Sequence, residues 1–273
     1  MKIFFRSDVH TSIDSEGCLV VTKFAKRSLT KRTLVVIPDH MCLGLLCSLH
    51  INLGHPTKDQ LHLAVNTRFF MVDLVNRCRS VTESCTLCTA VKTIPDELHD
   101  FKTNTVPDHP GKAWTIDVLR ECSKLVMVAV CNFSGYVSTT FIVSEKQPDL
   151  QDGIITAISP FMTKSLLRVR VDRAPGFGKL SRMNDTLKDM GIDIELGDAK
   201  NKNSLALADQ RMKELRLAIK KVAPNPNVLN RAVLARATTI VNETIRHHKM
   251  SSKEILFSRS QVSSENLKLK TMK

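Results

Sequence analysis

The sequence predicts an α/β fold: a mixed sheet flanked by helices, preceded by a small helical metal-binding module and an N-terminal β-hairpin. Three observations predict it. Between Ala113 and Val143 three short apolar runs, WTIDVL at 114–119, LVMVAV at 125–130 and VSTTFIV at 137–143, follow one another across turn residues, which is the pattern of a strand meander. Strand patterns at 167–171 (LRVRV) and 192–196 (IDIEL) then alternate with helical ones, and strands that first meander and then alternate with helices give a mixed sheet covered by helices. Upstream, His50, His55, Cys85 and Cys88 place four nitrogen and sulfur ligands within one short helical stretch.

The remaining elements follow in order. Residues 18–22 (CLVVT) and 33–37 (TLVVI) are β-branched runs on either side of the polar segment Lys23 to Arg32, a hairpin with a long loop that Pro38 closes. From Met41 to Lys92 the pattern is helical, and Thr57 with Gln60 has the spacing of a capping box for a helix through Leu61, Leu63, Ala64 and Val65. Pro95, Pro107 and Pro110 mark a linker. After the meander, Leu150, Ile154, Ile155, Ile158 and Phe161 share a helical face, and further helices are expected around Met183 to Met190, near 204–222 and near 227–247. The expected organisation is a hairpin extension at 1–40, a His/His/Cys/Cys zinc-binding domain at 41–92, a linker at 93–110, an α/β core at 111–260 and a tail at 261–273.

Composition narrows the function. A formal net charge of +13, from 40 Lys and Arg against 27 Asp and Glu, points to a polyanionic partner. No apolar run approaches the roughly 18 residues of a spanning helix, and Met1 to Thr11 lacks the pattern of a signal peptide, so the expected setting is nuclear or cytoplasmic with no membrane partner. Eight irregularly spaced cysteines then suggest free thiols rather than a disulfide framework, with Cys42 and Cys47 as core and Cys78 and His62 as packed or surface residues. One Trp and one Tyr give little material for stacking on single strands, which favours a backbone-directed mode on duplex DNA.

The two histidines are separated by four residues and the two cysteines form a C-x-x-C, with 29 residues between the pairs. Two imidazoles and two thiolates meet the tetrahedral demand of structural Zn²⁺, and both pair spacings suit it. An incidental pair of histidines beside an incidental C-x-x-C, or a redox motif, would give the same letters, although no thioredoxin-like βαβ pattern surrounds them. A module of about 50 residues has little core of its own, so bound metal would supply much of its folding free energy.

Asp117 falls inside the first strand of the meander and Asp172 ends the fourth strand, LRVRVD. A carboxylate in an apolar strand is costly unless paired or bound to metal. Two of them on adjacent strands suit a divalent-metal site for phosphoryl transfer, while spacing alone leaves open that both merely cap strand ends in solvent.

The segments LHINLGHPTKDQL, ESCTLC, VRVDRAPGF and ELGDAKNKNSLALADQRMKEL resemble the integrase of Gypsy-like long-terminal-repeat retrotransposons, over a span from Leu19 to MSSKEILFSRSQ at 250–261. The resemblance implies a ribonuclease-H-like catalytic core, zinc on His50, His55, Cys85 and Cys88, and Asp117 and Asp172 as the first two members of an Asp, Asp, Glu triad that binds Mg²⁺ or Mn²⁺. Aligned on Lys200, Asn201, Asn203, Ala208, Glu214 and Leu215, the third member falls on Asp209, an aspartate where relatives carry glutamate, with Ser204, Leu205 and Ala206 replacing lysine, asparagine and proline. Glu214, five residues further along a helix, points elsewhere, and Asp209 also suits a first-turn acid favoured by the helix dipole.

The same resemblance implies that the following helix lies along duplex DNA through Arg211, Lys213, Arg216, Lys220 and Lys221, a run that could equally be a solvated face. Arg246, His247, His248 and Lys249 suit the C-terminal dipole of their own helix better than DNA. It further implies 3′-end trimming followed by strand transfer, and a homo-oligomer. No segment after the core resembles the small barrel domain that usually follows in that family. Three functions are compatible with these residues: an integrase with a degenerate triad, an integrase-derived DNA-binding protein without catalysis, and a zinc-dependent protein-interaction module.

Overall fold

The computed structural model describes residues 9–24, 31–90, 107–162, 166–197, 205–223, 228–246 and 250–260. Pro95, the register residues Lys200 to Ser204, the cluster His247 to Lys249 and the tail at 261–273 lie outside them. The chain forms two compact units, one drawn from Met1–Lys92 and Ile245–Lys249 and the other from the remainder. Among the described residues no helix is long and apolar enough to cross a membrane.

The first unit joins a small sheet to three-helix packing. Strands β1 (Val9–Ile13), β2 (Leu19–Phe24) and β3 (Lys31–Val36) are antiparallel, so the expected hairpin is β2–β3 with an additional outer strand. The two-residue strand β4 (Phe69–Phe70) pairs parallel to β3 at Val35 and Val36, which ties the hairpin to the helical module by backbone hydrogen bonds. Helices α1 (Asp39–Asn52), α2 (Lys58–Asn66) and α3 (Leu74–Ser84) bury Cys42, Leu46, Leu61, Val65, Cys78 and Val81 in one cluster, and α4 (Thr86–Ala90) follows. Thr57 caps α2 with the expected capping box: its side chain accepts from the Gln60 N–H while Gln60 accepts from the Thr57 N–H. Cys42 and Cys78 are buried, and burial pushes the Cys78 thiol up to about 11.

The second unit is a five-stranded mixed sheet in the order β7-β6-β5-β8-β9. Strands β5 (Ala113–Glu121), β6 (Lys124–Cys131) and β7 (Val137–Ile142) form the antiparallel meander; β8 (Leu167–Val171) and β9 (Ile192–Leu196) add parallel strands. Parallel neighbours need crossovers, which is why helices begin after β7. On one face Trp114, Ile116, Met127, Ala129, Val169 and Val171 meet α5 (Gln147–Ile158), α6 (Pro175–Arg182) and α7 (Asp185–Asp189). On the other, Leu119, Val126, Val128, Val130 and Val137 meet α8 (Ala206–Val222) and α9 (Arg231–Glu243).

The helix expected around Met183 to Met190 is the short α7, and a further helix, α6, precedes it. Helix α6 begins at Pro175, and its two glycines hide it from apolar periodicity, although proline at a first helical position is itself a start signal. Helix α10 (Ser252–Phe257), opened by a Ser251/Glu254 capping box, is too short to show a period. Trp114, Phe161, Tyr136 and Phe257 form a chain of ring contacts at one end of this unit, the closest pair with centroids 5.0 Å apart.

Helix α9 seals the edge strand β7. The buried Asn242 amide accepts from the Val137 N–H and donates to the Val137 carbonyl, both at 2.7 Å, taking the place of a further strand. Asn242→Ala strands both backbone groups and should lower unfolding stability by about 2–4 kcal/mol, read as a lower denaturant midpoint with an unchanged slope.

Candidate metal centre and candidate active site

The histidine spacing is produced by the way α1 ends. Gly54, at φ +72°, donates to the Ile51 carbonyl at 3.1 Å, and His55 donates from its backbone to the His50 carbonyl at 2.8 Å. Those two bonds are a Schellman motif, in which the residue after the left-handed glycine returns to the last turn of the helix. His50 and His55 therefore arrive side by side, and His55 itself takes φ +58°. Cys85 ends α3 and Cys88 lies on α4, which brings both thiols to the same point.

The four ligand atoms lie within 4.8 Å of one another. His55 Nδ1 and His50 Nε2 are 3.2 Å apart, Cys85 Sγ is 3.3 Å from His55 Nδ1, and Cys88 Sγ is 3.3 Å from His50 Nε2. A tetrahedron with metal–nitrogen bonds of about 2.05 Å and metal–sulfur bonds of about 2.3 Å has nitrogen–nitrogen edges of about 3.3 Å and nitrogen–sulfur edges of about 3.6 Å. The donor set and its edges fit one Zn²⁺ ion, and these four residues can hold it.

Sheet alternation builds the second cluster. Ile116 on β5 pairs with Val171 on β8, both on the α5 face, so the next residues in register, Asp117 and Asp172, fall on the α8 face. Asp117 Oδ1 accepts from the Val118 N–H at 2.7 Å, and Asp172 Oδ1 accepts from the Ala174 N–H at 3.0 Å. Asp209 stands in the first turn of α8. Burial pushes the Asp117 carboxyl up to about 6; the charges of Asp172, Asp209 and Glu145 add to the rise, while the Val118 N–H opposes it. Burial also raises Asp209, and Lys213 opposes that. The charges of the other two sequence-expected aspartates thus reach Asp117. Among the described residues, however, the His/Cys group is the one whose ligand atoms close to metal-holding distance.

Helix α8 divides its basic residues between two faces. Lys213, Arg216 and Lys220 occupy exposed positions on one stripe with Asp209, and Lys221 is half-buried. Arg216, itself exposed, lies 3.7 Å from the half-buried Glu121. Arg211 departs from the sequence expectation of a DNA-facing residue: its side chain is only 7% exposed. Its Nη1 donates to both Glu214 oxygens at 2.9 Å and its Nε to the Gly135 carbonyl at 3.1 Å. The periodicity held the signal, since Arg211 falls in phase with Ala208, Met212, Leu215 and Ala218, the buried residues of α8.

Glu145, before α5, was not singled out by the sequence. It carries no motif, and only the fold places its charge in the field of Asp117. Arg120 holds it through paired contacts at 3.0 and 2.8 Å.

No protein-family model and no curated protein matches the chain. Among solved structures, the chain is similar to the catalytic core domain of BIV integrase, at 20% identity over 54% of this chain and 93% of that one, with a TM-score of 0.44. It is also similar to a chain of the simian T-cell lymphotropic virus intasome, at 18% identity over 84% of this chain and 80% of that one, with a TM-score of 0.51. The fold is of the retroviral-integrase type. The second likeness covers a larger share than either unit of this chain alone, so the integrase-type fold includes elements of both.

Two predictions arise from these clusters. Purified protein should carry about one zinc per chain, and Cys85→Ser should remove it and unfold the first unit, because metal binding in such modules contributes on the order of 10 kcal/mol; elemental analysis with protease mapping of residues 41–90 checks both. Around Asp117, the folded chain keeps its proton up to about pH 6 whereas the unfolded chain releases it near 3.8, so stability should fall as pH rises between those values. Asp117→Asn should remove that dependence and raise stability at pH 7 by about 2–3 kcal/mol in denaturant titrations.

Proposed function

We propose that this chain is a retrotransposon-type DNA integrase, a metal-dependent polynucleotidyl transferase of degenerate triad in which Asp117, Asp172 and Asp209 are the catalytic carboxylates. The observation that carries the reading is the half-buried Asp117 carboxyl on a central strand, its pKa raised by desolvation and by two further aspartates, one just after β8 and one on α8. A carboxylate kept in such a place lowers stability, and a divalent cation is the partner that offsets the concentrated charge. Mg²⁺ or Mn²⁺ on these residues would supply electrostatic stabilisation of the attacking and leaving oxygens of a phosphodiester. Asp117 and Asp172, set by the sheet, would be the fixed ligands. Asp209, one methylene shorter than glutamate, would reach them from the helix.

DNA would lie along the exposed stripe of α8, where Lys213, Arg216 and Lys220 lead from Asp209 and can neutralise successive phosphates. Lys221 borders that stripe. Arg211 is left out of this surface because its guanidinium is occupied within the fold. The zinc module and a homo-oligomeric assembly complete the proposal, the second supported by the likeness to a chain of an intasome. A second reading, a DNA-binding protein with little or no catalysis, is favoured by one observation: the three aspartates do not close on a single point as the His/Cys group does.

The decisive experiment is an Mg²⁺- or Mn²⁺-dependent end-trimming and strand-transfer assay. Asp209→Glu with Leu205→Asn and Ala206→Pro should raise strand transfer at least about tenfold, a barrier change of roughly 1.4 kcal/mol, and added Asp117→Asn should abolish the gain. No metal-dependent cleavage or joining by either protein, with DNA binding intact, would leave the DNA-binding reading in place of the enzyme. Charge reversal at Arg216 and Lys220 should weaken duplex binding about equally for unrelated sequences and flatten its salt dependence. Salt-insensitive binding would remove α8 as the DNA surface.

A further inference from the structure

On the reading that α8 delivers the third carboxylate, we propose that Arg211 is a positioning residue. Its guanidinium clamps α8 to the β6–β7 turn through Gly135 and Glu214 and thereby sets where the Asp209 carboxylate stands relative to Asp117.

The start of α8 needs such a device. Its N-cap residue is Leu205, and no side chain there accepts a hydrogen bond from the first turn. A polar N-cap is typically worth about 1 kcal/mol, and without one the first turn frays most readily. Asp209 sits in that turn, bonded through its backbone N–H to the Leu205 carbonyl at 3.0 Å. Fraying would move the carboxylate by more than the roughly 1 Å that separates productive from unproductive geometry in an active site.

Two residues later Arg211 makes directional contacts in two directions at once. Toward the helix, it forks onto Glu214; toward the sheet, it donates to the Gly135 carbonyl in the turn that joins β6 to β7. The receiving turn is shaped for it. Gly135 has φ +67°, a left-handed conformation that favours glycine, and a Cβ built there would lie 2.5 Å from Arg211 Nη2, so a side chain at this position would displace the guanidinium. β6 and β7 belong to the meander that also contains β5, the strand that holds Asp117. The clamp therefore references the helix to the same rigid sheet as the first aspartate. Ion pairs this buried are seldom net stabilising when compared with apolar packing, so their geometric role outweighs their energetic one. A lysine would keep the charge and lose the planar fork.

Mn²⁺ binding to the zinc-loaded full chain, measured as free Mn²⁺ by electron paramagnetic resonance, separates this proposal from the reading beneath it. Asp117→Asn and Asp209→Asn are the references, the first expected to abolish the site and the second to weaken it about tenfold. The pair Arg211→Met with Glu214→Leu removes one charge of each sign, so the net field is unchanged, and it should also weaken Mn²⁺ about tenfold. Adding Asp209→Asn to that pair should then cost less than about twofold more, because a displaced carboxylate has nothing left to lose. Arg211→Lys should not restore affinity. Thermal unfolding checks that the pair is folded; if it is not, Gly135→Ala, which displaces the guanidinium while keeping both charges, carries the same comparison.

Wild-type Mn²⁺ affinity in the folded pair, or a full tenfold cost of Asp209→Asn within it, would overturn the clamp while leaving the carboxylate site standing. If Asp117→Asn leaves Mn²⁺ binding unchanged, the carboxylate site itself fails, and the clamp with it.

Discussion

Like charge gathered on the inner face of a sheet is the constraint around which the second unit is arranged. Asp117 faces α8 between Thr115 and Leu119, both buried, and desolvation raises its pKa, with the charges of Asp172, Asp209 and Glu145 adding to the rise. Most proteins would place valine at such a site. The surrounding structure instead holds two further aspartates in the same field and closes the apolar remainder of that face with α8 and α9. The apolar packing on the opposite face supplies stability that offsets this cost.

The first unit answers a different constraint, that of size. Its helical cluster is small, and its tightest geometry lies where α1, α3 and α4 present four ligand atoms. The Schellman turn at Gly54 is the economy of that arrangement: two consecutive left-handed residues, Gly54 and His55, end the helix and bring the second histidine beside the first. Pairing of β3 with β4 then spreads any order gained at the metal into the sheet, since β4 lies between α2 and α3 in sequence.

The two sites differ in how far the sequence revealed them. The five strands of the second unit were legible almost to their ends, because apolar runs separated by turn residues have few other interpretations, whereas β1 and the two-residue β4 were missed; the His/Cys group was legible because the spacing within each pair is local. Asp117 and Asp172 were legible as oddities, acidic residues where apolar ones belonged. Arg211 was misread because a run of basic residues invites a single surface, whereas helical phase splits it between solvent and core. Gly135 and Glu145 depend on contacts across 76 and 28 positions, with Arg211 and Asp117 respectively, and no local pattern announces such a partner. Helix α6 was missed for a local reason, since glycines at 176 and 178 interrupt the apolar count while proline at its start is a signal that periodicity ignores.

The ring cluster of Trp114, Phe161, Tyr136 and Phe257 has an optical consequence. Trp114 and Tyr136 are the sole tryptophan and tyrosine of the chain, and both belong to the second unit. Trp114 is fully buried, its indole N–H donating to the Gly111 carbonyl at 2.9 Å. Emission excited at the indole band therefore comes from the sheet unit, which holds the indole. Far-ultraviolet dichroism sees both units. A dichroism change with no change in emission isolates the unfolding of the first unit without a label or a truncation.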